Sequence, residues 1–590
     1  MSRILEGMGA SAGRALGPVR RIDWDIPLVP HRTIRPEEVD GEVERFGEAR
    51  ARALEFVSRL QEETSRRIGS FEGKVFESQA MMIEDPELIE GTLSYVRDNF
   101  VCAERAFDWQ VLEMRIRIQE SAHAMLVDRL ADLHDVRVRV LSHLLGRSDP
   151  SDLVTEAEEP SILVGSELPP SIAARLDPQR VLGVVLSGGS RGAHGVILAR
   201  ALGIPVVVAA GAAIQAIEES DRLLVDGRTG EIRVNPSSQE VEGYHRAVAQ
   251  ASHRRERLQS LAGRPTETSD GVHTVVQANL DLPHEAADAV RLGADGVGLF
   301  RSEFLVIGRR EIPGEEDQLQ AYRAVLEAFP EREVTLRTFD IGGDKFPLFL
   351  SLPPEDNPYL GWRAIRICLD MPELFDNQLR AAVRAVGENG NLRLLIPFVS
   401  TVEEMRRTRE SLAAVYGSLG LTDSGIRIPV GVMVETPAAV EILDLLAPYV
   451  DFVSLGTNDL TQYVLAADRG NAKLGKLYDP LHPALLRMYK RVVKESARHE
   501  LDLSVCGELA GDPVGVAALL GLGYRKFSVS IVSLPEIREL IRNVSVKELR
   551  RVMRKLDRAE SGDEVRRSVH AHLSDRGVLS EPAPVGLSKD

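Results

Sequence analysis

The side chains best suited to chemistry in this chain close short apolar runs in its second half. Arg301 ends the run Gly296–Arg301, Arg337 and Asp340 close Glu333–Phe339, and Glu435 closes Pro429–Glu435. Asn458 and Asp459 follow Phe452–Thr457, and Cys506 ends Leu503–Cys506. A charged residue closing one strand is ordinarily structural; polar residues closing five runs ask for a functional reason. Glu435 and Asp459 suit a hard divalent cation such as Mg²⁺, which takes oxygen ligands and completes its shell with water or substrate. Arg301, Arg337 and Arg469 add three permanent positive charges whose planar donor pairs match phosphate and carboxylate. A metal with surplus arginine implies a small polyanion and phosphoryl transfer, a reaction that needs positioning and charge neutralisation more than covalent help. A set of surface salt bridges is the plainer alternative.

A second candidate lies upstream. His194 sits in the segment LSGGSRGAHGVILAR (186–200), a glycine-rich turn leading into an amphipathic stretch. Such a turn exposes a side chain together with backbone N–H groups able to hold an anion. Neutral imidazole is a competent nucleophile toward phosphorus near neutral pH.

These residues need a scaffold. Eight apolar runs recur after residue 265: Thr274–Leu280, Gly296–Arg301, Glu333–Phe339, Leu392–Val399, Pro429–Glu435, Phe452–Thr457, Leu503–Cys506 and Lys526–Val529, with helix-length segments between them. That alternation is the arithmetic of a (β/α)₈ barrel, in which functional residues belong at the C-terminal strand ends. A doubly wound open sheet is the alternative that periodicity leaves. Upstream, Ser161–Val164, Val181–Leu186, Val206–Val208 and Leu223–Val225 read as strands of a compact α/β unit, onto which the glycine-rich first twenty residues are expected to pack. Residues 36–146 read as helices; Val39, Val43, Phe46, Ala53, Val57 and Leu60 form a buried stripe. A charged helix is expected over Ser237–Leu261, ended by Gly263-Arg264-Pro265.

Composition narrows the class. The 590 residues are long enough for several domains, and 44% hydrophobic with 27% charged is a globular balance. A net charge of −17 argues against general nucleic-acid binding; the basic stretch His253–Arg257 reads as a solvated helix face. Three scattered cysteines, Cys102, Cys368 and Cys506, support neither a disulfide framework nor a CxxC metal site. The opening segment MSRILEGMGASAG lacks a basic region followed by an apolar core, and the run Ala201–Ile214 is too short and too broken to span a bilayer. The expected compartment is the cytoplasm.

The barrel motifs carry a resemblance. LFRSEFL (299–305), LRTFDIGGDK (336–345), DNPYLGWRAIR (356–366), GVMVETPAA (431–439), SLGTNDLTQYVLAADRGN (454–471) and SVCGELAGD (504–512) resemble the phosphoenolpyruvate-utilising enzymes, and most closely the Enzyme I family of the bacterial phosphotransferase system. The resemblance covers nearly the whole chain. It implies a multidomain α/β protein. An α/β phosphohistidine domain that swivels would occupy 1–24 and 147–236, a helical bundle that binds an HPr-like phosphocarrier 25–146, a linker helix 237–262, a phosphoenolpyruvate-binding TIM barrel 263–575 and a disordered tail 576–590. It assigns phosphoenolpyruvate binding to Arg301, Arg337, Asn458, Asp459 and Arg469, Mg²⁺ to Glu435 and Asp459, and the protonation of the enolpyruvate carbon to Cys506. Lys345 and Arg363 would be secondary anion contacts, His194 the phosphorylated residue, and the barrel the contact of a homodimer. The implied reaction moves the phosphoryl group from phosphoenolpyruvate to His194, then to the carrier, releasing pyruvate, in sugar uptake or a regulatory branch of it.

Around His194 the sequence departs from the family pattern. Ser190 stands for a glycine, Gly192-Ala193 for Thr-Ser, Gly195 for a hydroxyl residue, and Ser78-Gln79 for a small residue followed by His. Two other readings stay open: a relative of phosphoenolpyruvate synthase and pyruvate phosphate dikinase that uses ATP, and a catalytically weak regulatory protein that binds a phosphocarrier.

Overall fold

The computed structural model describes residues 3–11, 13–22, 26–67, 73, 75–120, 130–147, 159–190, 193–260, 262–306, 311–342, 355–386, 390–468, 474–475 and 477–579. Arg469, Lys345 and the tail from 580 onward lie outside them, as do the side chains of 251–256 in the basic stretch. The chain folds as two compact units, 1–251 and 252–590. Among the described residues no helix is long and apolar enough to cross a membrane.

The first unit joins a sheet to a helical bundle. Strands β1 (Arg3–Glu6), β2 (Met8–Ser11), β3 (Arg14–Ile22), β4 (Ser161–Gly165), β5 (Val181–Leu186), β6 (Val206–Val208), β7 (Arg222–Asp226) and β8 (Glu231–Val234) form one sheet in the order β1-β8-β7-β3-β4-β5-β6-β2. The first residues therefore do pack onto the later strands: β3 runs parallel to β4 and antiparallel to β7. The central strands are buried on both sides, which explains their unbroken Val, Ile and Leu runs.

The bundle comprises α1 (Val39–Arg67), α2 (Val75–Ile83), α3 (Pro86–Asn99), α4 (Ala103–Glu120) and α5 (Leu130–Leu144). Phe46, Ala53, Val57 and Leu60 of α1 are buried, as their spacing predicts, while Val39 and Val43 of the expected stripe are only partly buried, against a separate cluster that includes Ile34, Val96 and Val101. Pro86 starts α3 behind an Asp85 cap whose carboxylate accepts from the amide of Glu87. Bundle and sheet share one core: Val136 and Val140 of α5 belong to the same buried cluster as Leu163, Val184 and Ile172. Ile172 lies in the short helix α6 (Pro170–Ala173), and α7 (His194–Ala201) follows β5. Helix α8 (Ser238–Ser260) runs across the boundary between the units, close to the expected linker.

The second unit is a closed barrel. Strand β9 (Thr266–Glu267) lies antiparallel against β10 (His273–Leu280). From β10, parallel strands β11 (Val297–Arg301), β12 (Val334–Arg337), β13 (Leu392–Ile396), β14 (Val430–Val434), β15 (Phe452–Leu455), β16 (Asp502–Val505) and β17 (Lys526–Ser530) follow in sequence, and β17 pairs back to β10. All eight expected runs are strands, and closure excludes the open sheet. At the C-terminus, Val578 and Leu579 pack against the barrel core, so order extends past residue 575.

Candidate active site

The barrel gathers most of the expected residues in one place. Arg301 and Arg337 end neighbouring strands and stand opposite each other in register. Glu435 directly follows β14, Cys506 directly follows β16, and Asn458 and Asp459 lie in the first turn of the helix Thr457–Leu465 after β15. All six line one cavity of ≈ 270 Å³ at the C-terminal strand ends, a volume for a small ligand. Because the strands are parallel and consecutive, each brings its terminal side chain to the same rim.

Under the rim lies a buried ionic network. Arg337 pairs with Glu303 and, at 3.2 Å, with Asp340. Arg363 donates to both oxygens of Asp340 at 2.9 and 3.0 Å and to both of Asp459 at 3.3 and 3.1 Å. Arg363, expected as a secondary anion contact, has its guanidinium buried and engaged by these two carboxylates, so it holds Asp459 in place. Its guanidinium also lies 4.9 Å from the ring centroid of Phe398. Phe398 adopts φ +61°, a costly backbone state for a bulky residue, and its amide donates to Glu435 Oε1 at 2.6 Å. That strained amide is aimed at the carboxylate expected to hold metal.

The charge balance leaves room for a cation. Burial, with the Asp459 and Asp340 carboxylates close by, pushes the Glu435 carboxyl up to about 8. Among the described residues no three side chains cluster as a complete metal site. Two carboxylates are nevertheless a fitting oxygen donor set for a hard cation that completes its shell with substrate oxygens and water. Gly456 keeps this corner open, because a Cβ there would lie 2.9 Å from Glu435 Oε2.

Cys506 occupies an apolar wall with Leu299, Leu395, Met433 and Phe452. Its thiol donates to the carbonyl of Leu455 at 3.6 Å, and burial pushes it up to about 11, so it stays protonated at neutral pH. Asn458 Oδ1 accepts from the amide of Glu508 at 3.0 Å, which fixes the side chain at the cavity edge.

His194, in the first unit, opens α7. Its Nδ1 lies 2.9 Å from Asp132 Oδ2, and its side chain is 32% exposed while that of Asp132 is fully buried. The unusual Gly195 has a steric reason: an added Cβ would lie 2.0 Å from the carbonyl oxygen of Leu168. Ser78 donates to Asp132 Oδ2 at 3.2 Å and Gln79 to Asp135 Oδ2 at 2.9 Å, so both atypical bundle residues contact α5 acids. Asp132 and Glu303 escaped the sequence reading. The first lies 62 residues before its partner, and the second sits in a turn where an acid ordinarily faces solvent.

The chain matches the family described as PEP-utilising enzyme in three parts: the N-terminal region over 6–129, the mobile domain over 157–230 and the PEP-binding domain over 255–546. It is 35% identical over 571 residues to a phosphoenolpyruvate-protein phosphotransferase of Staphylococcus carnosus, covering 96% of this chain and 98% of that protein. It is 37% identical to that of Priestia megaterium and 38% identical to that of Haemophilus influenzae, each over 92% of this chain and 95% of the relative.

Proposed function

The chain belongs to the PEP-utilising enzymes, and from that membership we propose a two-step route: phosphoenolpyruvate phosphorylates His194, which then passes the group to a histidine of an HPr-like phosphocarrier. The activity is that of a phosphoenolpyruvate–protein phosphotransferase, a transferase. The observation that carries the route is the convergence of Arg301, Arg337, Glu435, Asn458, Asp459 and Cys506 on one cavity.

Arg301 and Arg337 bind the phosphate and carboxylate of the substrate, with Asn458 at the edge and Arg469 as a further cationic contact expected from sequence. Arg337 enters this role pre-oriented, because Glu303 and Asp340 fix its guanidinium before substrate arrives. Glu435 and Asp459 are the residues that would hold Mg²⁺, which when bound neutralises phosphoryl oxygens. The Nε2 lone pair of His194 attacks phosphorus in line as the bond to the enol oxygen breaks. Enolpyruvate is left against the apolar wall, where the protonated Cys506 thiol delivers a proton to carbon and pyruvate forms. The first unit and the barrel mouth must meet for the first step, and His194 must meet the carrier for the second, so their relative motion belongs to the cycle. The family resemblance adds a homodimer through the barrel.

Pyruvate release by the purified chain with Mg²⁺ and an HPr-like carrier from the same genome tests this reading. Pyruvate should appear in step with phosphorylated carrier. Turnover that instead requires ATP or inorganic phosphate would overturn it.

A further inference from the structure

We propose that Asp132 is a positioning residue for phosphoryl handover: it holds the Nδ1 proton of His194, so that Nε2 carries the phosphoryl group and a neutral imidazole departs. The inference rests on the His194 reading above and specifies how that residue works.

The geometry begins at Asp132. Its carboxylate is fully buried, accepts from His194 Nδ1 at 2.9 Å and from Ser78 Oγ at 3.2 Å through the same oxygen, Oδ2. Its other oxygen, Oδ1, is buried with no hydrogen-bond partner among the described residues. A carboxylate only accepts, so the ring nitrogen facing it must carry the proton and the lone pair falls on Nε2. One turn along α5, Asp135 accepts from the amide of Ser171 at 3.1 Å, from its hydroxyl at 2.8 Å and from Gln79. This clamp ties α5 to α6 and fixes the helix that presents Asp132.

The chemistry follows from where the proton sits. When Nε2 attacks phosphorus, a P–N bond forms and the ring, still bearing Nδ1–H, becomes cationic beside the buried carboxylate. At handover the P–Nε2 bond breaks while a P–N bond forms on the carrier's imidazole, and the bonding pair returns to Nε2. With Nδ1 still protonated, the leaving group is a neutral imidazole; without that proton it would be an imidazolate, a far poorer one. One positive charge moves from the His194 ring to the carrier's ring, so charge balances. Asp132 lies on α5 and His194 on α7, and the bond exists only while these helices pack as described.

The test uses the full chain, labelled with ³²P from phosphoenolpyruvate and Mg²⁺, then mixed with purified HPr-like carrier and quenched over milliseconds. Asp132→Asn keeps the side chain's size and removes its charge. It should slow handover on the order of a hundredfold, within the range of positioned proton effects. ¹⁵N-histidine spectra of the native enzyme should place the His194 proton on Nδ1. Native-rate handover by the variant, or a native Nε2–H tautomer, overturns the proposal; the tautomer stands even if the variant folds poorly. Failure of phosphoenolpyruvate to label His194 sinks the functional reading itself, while labelling with unaltered handover sinks only the role of Asp132.

Discussion

Arg363 clamps Asp459 with two parallel donors, Nη1 to Oδ1 at 3.3 Å and Nη2 to Oδ2 at 3.1 Å, while its Nε and Nη2 hold Asp340. The planar guanidinium thereby fixes the angle at which Asp459 faces the cavity. An ammonium cannot reproduce two bidentate contacts. Arg363→Lys should leave one buried carboxylate poorly paired, lowering unfolding free energy by up to about 3–5 kcal/mol and raising the KM for phosphoenolpyruvate more than tenfold. Denaturant melts and pyruvate-release kinetics measure the two effects; an unchanged KM would separate Arg363 from the site.

Cys506 sets a pH expectation. Its thiol is pushed from 9.0 to about 11, chiefly by burial, so the folded state holds the proton more tightly than the unfolded chain. The corresponding stabilisation is complete below pH 9 and is lost as pH rises through about 11. Iodoacetamide should scarcely modify Cys506 at pH 8, with the rate climbing as pH approaches 11, as peptide mass spectrometry would report. Cys506→Ala should still permit His194 labelling but cut steady-state turnover by roughly 10²–10⁴, the usual worth of a positioned acid.

Gly507 gives a steric expectation. A Cβ there would lie 1.8 Å from Thr457 Oγ1, at the start of the helix that carries Asn458 and Asp459. Gly507→Ala should destabilise by about 1–3 kcal/mol and weaken phosphoenolpyruvate binding by moving that helix. Gly417, in the helix Val402–Ser418, has nothing within 4 Å of an added Cβ. Gly417→Ala should instead stabilise by about 1 kcal/mol. Thermal melts of both variants with and without phosphoenolpyruvate compare them.

The barrel was legible because its strands are buried on both faces and so read as unbroken apolar runs, and because parallel order sends their last residues to one rim. The support beneath that rim was not. Glu303 contacts Arg337 across 34 positions and Arg363 contacts Asp459 across 96, separations at which no local spacing signals a pair. The hold of Arg363 on Asp459 therefore has no local signature in the sequence. Around His194, Gly195 and Ser78-Gln79 read only as departures from a family pattern. Their reasons are tertiary: the carbonyl of Leu168 excludes a side chain at 195, and the two bundle residues contact Asp132 and Asp135.

The central claim is that His194 carries the phosphoryl group between two partners. Its most direct measurement incubates the full chain with ³²P-labelled phosphoenolpyruvate and Mg²⁺, then maps the label by peptide mass spectrometry before and after adding the carrier. The label should sit on His194, leave it for the carrier, and be absent from His194→Gln. Undiminished labelling of His194→Gln, or label on any other residue, would contradict the account.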